Sequence, residues 1–375
     1  MRLVVKTLIF FLNLIYSVMK LQPVQHKITF LSRQSDKPSL DINMLEREIR
    51  QLHPDFKTVI LCRTIKPGIL NKISYSFHIL KQMHHMASSE VVILDSYCIA
   101  ASVLHHRNSL LIIQMWHSTG TMKKFGYSIL DKPEGSPAKI AELMKMHKNY
   151  DYILAAGEGY KDHLAEGFGY PAEKIITLPL PRIEALKSNR YAEEAAEKIF
   201  KAYPELKSKK NIVYVPTFRK MNDESFLSAL KALCESVDYS RYNLIIKPHP
   251  LTDLTGFSQP RAVIDNRFSS FDMLFISDIV ISDYSCIIYE AAVLKKPVYL
   301  YAYDYDEYMS TREIYIDYMS EIPCPICTDA ASIMAAIDAP YDHKSLDAFL
   351  NRYVYTGSSH ETKDIVDFIF QKKKL

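Results

Sequence analysis

The sequence predicts an α/β protein built from two doubly wound parallel sheets, and three observations carry that expectation. Apolar strand candidates alternate with amphipathic helical stretches along the chain, a polar helical stretch from Ala192 to Lys210 with a break at Pro204 interrupts them once, and the alternation then resumes. Strand–helix alternation of this kind builds a parallel sheet covered on both faces. A chain of 375 residues, 48% hydrophobic and 24% charged, suffices for two globular cores.

The elements follow in order. From Thr7 to Met19 the chain is mostly apolar, flanked by Arg2, Lys6 and Lys20 and interrupted by Asn13 and Ser17. That is short for a span of about 20 residues, so residues 1–20 read as a helix lying in the membrane interface. A cleaved signal peptide is the rival reading, but no A-x-A-like site follows Met19. A first domain over 21–190 then carries strand candidates at Ile28–Leu31, Thr58–Cys62, Val91–Leu94, Leu110–Gln114, Tyr152–Ala155 and Ile175–Leu178, with helices such as Asn43–Leu52 and Ser74–Met86 between them. The polar stretch from Ala192 reads as the linker region. A second domain over 191–375 carries strand candidates at Asn211–Val215, Leu244–Lys247, Val263–Asp265, Ile279–Ser282 and Val298–Tyr301. Two such domains facing a central cleft would place ligands at the C-terminal edges of their strands. At the far end Lys372, Lys373 and Lys374 would add attraction to anionic lipid, or form a solvated tail.

Composition excludes several classes. A net charge of +3 gives no strong field for nucleic acid. Six scattered cysteines suit a reducing compartment. The single C-x-x-C, Cys324 to Cys327, has no second pair or nearby histidine, which makes it a weak zinc or redox candidate. Only 10 glycines occur, and neither G-x-G-x-x-G nor G-x-x-x-x-G-K-[ST] is present; Gly157 and Gly159 begin the first pattern, but Asp162 stands at its third glycine. A bound phosphate would therefore be held by side chains and helix ends. Asp304-Tyr305-Asp306 has the form of a D-x-D metal motif but lies at a strand end in the second unit, and neither a metal nor a cofactor is expected.

The stretch from Ser277 to Asp304 is the best-defined unit: strand Ile279–Ser282, the polar break Asp283-Tyr284-Ser285, an amphipathic helix, a Lys-Lys-Pro turn, and strand Val298–Tyr301. Asp283 and Ser285 suit an N-cap, and the helix N-terminus favours an anion. Capping alone would explain the same residue types. Other strand ends, however, carry chemistry too. Leu110–Gln114 runs into Trp116-His117-Ser118-Thr119-Gly120 and on to Lys123 and Lys124; Asn211–Val215 runs into Pro216-Thr217-Phe218-Arg219; Leu244–Lys247 runs into Pro248-His249-Pro250. Cationic and hydroxyl groups converging on strand ends are what a diphosphate needs without a glycine cradle.

These four motifs, in this order and spacing from about Lys27 onward, resemble the CDP-glycerol glycerophosphotransferase family of teichoic-acid synthesis, with its W-H-x-x-G-x-x-K-K-F-G loop, P-T-F-R and H-P strand ends, and S-D-Y-S-S helix start. The resemblance implies a GT-B-like fold with an acceptor-side first domain and a donor-binding second domain. It also implies transfer of glycerol phosphate, or a related polyol phosphate, from CDP-glycerol or CDP-ribitol to a lipid-linked (undecaprenyl-type) acceptor, with release of CMP. It makes His117 the catalytic base and His249 a second catalytic histidine contacting the donor pyrophosphate, with Lys247 and Arg219 nearby. Arg182 matches a donor-binding arginine. Ser285 and Cys286 would touch phosphate, Glu290 would accept from the ribose hydroxyls, and Ser118, Thr119, Thr217 and Asp283 complete the donor-binding set. Three positions depart from the pattern: Cys286 replaces a serine, Ser118 replaces a glycine or alanine, and Lys247 replaces an arginine.

The implied setting is the cytoplasmic face of a bacterial membrane, as a peripheral protein, with homo-oligomerisation left open. The short length favours a primase over a polymerase. A GT-B glycosyltransferase using a UDP-sugar and an inactive scaffold of the same envelope machinery stand as alternatives.

Overall fold

The computed structural model describes residues 2–219 and 223–373. The chain forms two compact units: Met1–Ser118, Lys124–Glu184 and Gly357–Leu375 make the first, Thr119–Lys123 and Ala185–Thr356 the second.

The first unit holds a six-stranded parallel sheet of β1 (Lys27–Ser32), β2 (Lys57–Cys62), β3 (Val91–Leu94), β4 (Leu111–Gln114), β5 (Tyr152–Ala155) and β6 (Ile175–Thr177), in the order β2-β1-β3-β4-β5-β6. Every residue of β1 and β3 is buried, the Val-Val-Ile-Leu run of β3 and even Lys27, Thr29 and Ser32 of β1, as in a parallel sheet with helices on both faces. Helix Leu40–Leu52 is capped by Ser39, whose side chain accepts from the Ile42 N–H, and it buries Ile42, Leu45 and Ile49 at helical spacing.

The last helix, Glu361–Lys372, joins this same core through Ile365, Val366 and Ile369. Each of those buried side chains contributes about 1.5–3 kcal/mol, and this is why the chain's end belongs with the first unit. The second domain expected to continue to 375 closes instead at Thr356. Lys373 is likewise no solvated tail residue: its Nζ lies 2.9 Å from Glu90 Oε2 and 4.7 Å from the centre of the Phe56 ring. Lys374 lies outside the described residues.

The second unit holds β7 (Lys210–Val215), β8 (Tyr242–Ile246), β9 (Ala262–Ile264), β10 (Ile279–Ser282), β11 (Val298–Tyr301) and β12 (Ile326–Cys327), all parallel, in the order β12-β11-β10-β7-β8-β9. Strand β12 contains half of the C-x-x-C, and Cys324 and Cys327 are both buried free thiols. The stretch expected to link the domains is helix Asn189–Ala202, which belongs to the second unit and buries Ala195 and Ile199. It reads as polar because only that narrow stripe is covered.

Strand order fixes where ligands should bind. In the first sheet the chain reverses direction between neighbours β1 and β3, and in the second between β7 and β10. Crevices at the carboxyl ends of such strand pairs are the usual ligand sites of open α/β sheets.

Candidate active site

In the first unit Asp95 follows β3 and His117 follows β4. His117 Nδ1 lies 3.0 Å from the Asp95 carbonyl oxygen. A carbonyl only accepts, so Nδ1 carries the proton and Nε2 keeps a free lone pair. Burial drives the His117 pKa down to about 4, with the Asp95 carbonyl opposing and the Arg182 charge adding to the shift. The ring is thus neutral at pH 7. Trp116, beside it, has φ 65°, a left-handed conformation costly for an aromatic residue, and the Gln114 side chain holds its N–H at 2.9 Å. Its indole packs 4.2 Å from the His117 ring and 4.5 Å from the Phe125 ring. Gly126 then turns at φ 59°, where any side chain would strike the Gly167 carbonyl. These constraints account for the Trp, Phe and Gly of the loop.

Arg182 is not free in the crevice. Its Nε and Nη2 grip the buried Asp41 carboxylate at 3.0 and 2.5 Å, its backbone N–H reaches the same group at 2.9 Å, and Nη2 also donates to the His117 carbonyl at 3.2 Å. Asp41 was hidden in the sequence as an ordinary first-turn acid of a helix. Asp95 was hidden as a strand-end residue, and burial pushes its carboxyl up to about 6. Ser118 is half-buried next to His117.

The second unit centres on Asp283, fully buried at the β7/β10 switch point. Its carboxylate accepts from Thr217 N–H at 2.9 Å and Thr217 Oγ1 at 3.1 Å, and pairs with Arg219 Nη2 at 3.2 Å. Asp283 therefore does not cap the following helix as expected. That helix, Ile287–Val293, has Cys286 at its N-cap, and Ser285 Oγ accepts from Ile287 N–H at 3.3 Å. Arg219 also pairs with Asp304 at 2.8 Å and lies against the rings of Tyr284, Tyr303 and Tyr308. Only 6% of it is exposed, so the arginine expected at the diphosphate is spent inside the wall. Lys247 is spent similarly, on Asp265 at 3.2 Å and on that residue's carbonyl.

His249 is held differently from His117. Its Nδ1 accepts from Leu251 N–H at 3.2 Å, which leaves the neutral ring's proton on Nε2 as an outward donor. Burial first, then the Lys123 charge, lowers its pKa.

The segment Thr119–Lys123 belongs to this unit. Thr119 Oγ1 donates to Glu290 Oε1 at 2.8 Å, both residues buried, and Cys286 Sγ donates to the Gly120 carbonyl at 3.5 Å. Thr119, Cys286 and Glu290 thus lie together in the second unit, with Glu290 Oε1 accepting from Thr119.

A family model described as CDP-Glycerol:Poly(glycerophosphate) glycerophosphotransferase matches residues 14–371. The chain is 30% identical to a teichoic acid ribitol-phosphate primase from Bacillus spizizenii over 93% of its own length and 92% of that protein's. It is 28% identical to a teichoic acid glycerol-phosphate primase from Bacillus subtilis, over 78% of its own length and 76% of that protein's. Among solved structures it is similar to the wall teichoic acid polymerase TagF in its H548A form, with a TM-score of 0.74, 19% identity, and coverage of 95% of this chain and 92% of that one. The fold is GT-B-like.

Proposed function

The chain belongs to the CDP-glycerol:poly(glycerophosphate) glycerophosphotransferase family, and from that premise we propose a CDP-polyol phosphotransferase of teichoic-acid synthesis that moves glycerol phosphate to a lipid-linked glycan. The acceptor hydroxyl attacks the β-phosphorus, its proton passes to His117 Nε2, the bond from that phosphorus to the bridging oxygen breaks, and CMP leaves. The carrying observation is the His117 ring, fixed with Nδ1–H on the Asp95 carbonyl and with no partner on Nε2 among the described residues. A neutral imidazole held in that tautomer suits a general base. His249, with the opposite tautomer, supplies an N–H to a phosphate oxygen. Thr119 and Glu290 would receive the ribose, Ser285 and Cys286 the phosphates.

Ribitol phosphate is the second reading, favoured by the 30% identity to a ribitol-phosphate primase at matched length. CMP release measured with CDP-glycerol and with CDP-ribitol, each offered with lipid-linked acceptors, decides between them. His117→Ala should lower turnover about 100-fold or more with donor binding kept. Unchanged turnover would remove His117 from the reaction.

The acceptor and location rest on the first unit's surface. Helix Arg2–Met19 exposes Leu3, Leu8, Phe10, Phe11, Leu14 and Val18. Helix Ile69–Ala87 exposes Ile69, Leu70, Ile73 and Phe77 along one face. Arg2, Lys6, Lys139 and Lys145, with one acid, Glu142, line a cavity of about 210 Å³ beside the first helix. Exposed apolar helices with flanking cations fit an anionic lipid surface, and the inner face of the membrane is the proposed site of action.

A further inference from the structure

Lys123 stands in the sequence as one lysine of a basic pair, and the structure gives it a distinct place. The strand-like stretch 119–123 is fastened into the second unit at successive points: Thr119 to Glu290, Gly120 to Cys286, the Met122 carbonyl to Tyr315 N–H at 2.8 Å, and an antiparallel bridge from Lys123 to Ile314. Four tethers over five residues set the direction of the lysine side chain. Its Nζ lies 5.5 Å from the centre of the Tyr308 ring, and among the described residues the ammonium makes no ion pair or hydrogen bond. Burial opposes its charge first, the Asp283 carboxylate favours it, Arg312 and Arg219 disfavour it, and it in turn depresses His249. The ammonium therefore lies among the groups of the proposed donor site.

The other cations expected there are committed. Arg219 is held by Asp283, Asp304 and Thr217, and Lys247 by Asp265. A largely buried ammonium without a hydrogen-bonded anion is costly, and an incoming phosphate removes that cost. Its three N–H donors suit a diphosphate. On the transfer reading above, we infer that Lys123 binds the diphosphate of the CDP-polyol and neutralises the departing CMP.

The test measures equilibrium binding of CDP and of cytidine, together with CMP release, for the wild type, Lys123→Met and Lys123→Arg. Lys123→Met should weaken CDP about 10- to 100-fold, the loss expected for a charge-assisted hydrogen bond, and leave cytidine unchanged. Lys123→Arg should recover part of the affinity. On the unaltered protein, CDP should slow amine-selective labelling of Lys123 while cytidine should not, a readout independent of how the variants fold. Equal CDP binding by the wild type and Lys123→Met, or labelling unaffected by CDP, would overturn the assignment. So would recovery of CDP affinity in a Lys123→Met/Asp283→Asn double variant, which would make the lysine a counter-charge alone. Failure of the transfer reading shows separately, as a wild type that binds CDP but releases no CMP from any CDP-polyol.

Discussion

The His117 environment predicts an acid limb of activity displaced well below that of ordinary histidine. The perturbation is pH, carried from 8 down to 4.5. A base must be neutral to work, and burial lowers the His117 pKa from 6.5 to about 4. Lowering the pKa of a cationic acid keeps the neutral form to lower pH, so activity should persist on acidification. At pH 5 an unperturbed imidazole would be about 3% neutral and one of pKa near 4 about 90% neutral, a difference of about 30-fold in rate. The assay is CMP release under kcat/KM conditions, which report the free enzyme. Circular dichroism at each pH guards the result, because a histidine kept neutral by the fold makes that fold less stable as pH falls below 6.5. The limb in kcat should lie higher, since a bound anionic donor favours the imidazolium. Asp95, whose carboxyl is pushed up to about 6, would place a limb near 6 if its own protonation lowered activity, and so imitate an unshifted histidine. Asp95→Asn keeps the backbone carbonyl that holds Nδ1–H and should leave the limb in place. A kcat/KM limb centred at 6.5 would refute the reasoning.

Three further outcomes are expected. Asp283→Asn breaks a buried ion pair and should cost about 3–5 kcal/mol, seen as a lower melting midpoint; an unchanged midpoint would mean that Asp304 alone satisfies Arg219. Asp41→Asn loosens the two-pronged grip on Arg182 and thereby the His117 carbonyl, so kcat/KM should fall about 10-fold; an unchanged value would show that Arg182 needs no such anchor. Removing residues 2–19 should shift the protein from the membrane to the soluble fraction while activity on a water-soluble acceptor is kept, and continued sedimentation with membranes would assign anchoring to another surface.

The strands were legible because a parallel sheet covered on both faces writes each strand as an apolar run bounded by polar residues, which requires no knowledge of its neighbours. All but the two-residue β12 stand in the sequence this way. The strand-end motifs were legible for the same reason, since the end of a strand is a local event. What each side chain touches was not. Asp283 beside a helix start looks like a cap, and its true partner, Thr217, lies 66 residues earlier, just past the end of the strand across the switch point. Arg219 and Lys247 look like ligand cations until Asp304 and Asp265 come alongside. Asp41 lies 141 residues from Arg182, and nothing near it in the chain announces the pair.

The two histidines differ in a way that no local pattern shows. Both follow parallel strands, both are flanked by motif residues, and the sequence treats them alike. Backbone groups separate them: a carbonyl takes the Nδ1 proton of His117, whereas an N–H donates to Nδ1 of His249. One neutral ring is left with its lone pair on Nε2 and the other with its proton there. The difference in tautomer thus lies in how the loops turn after β4 and β8. In each case the main-chain group that sets the tautomer belongs to a residue outside the motifs, Asp95 in one loop and Leu251 in the other, and a backbone group acts regardless of the side chain it carries.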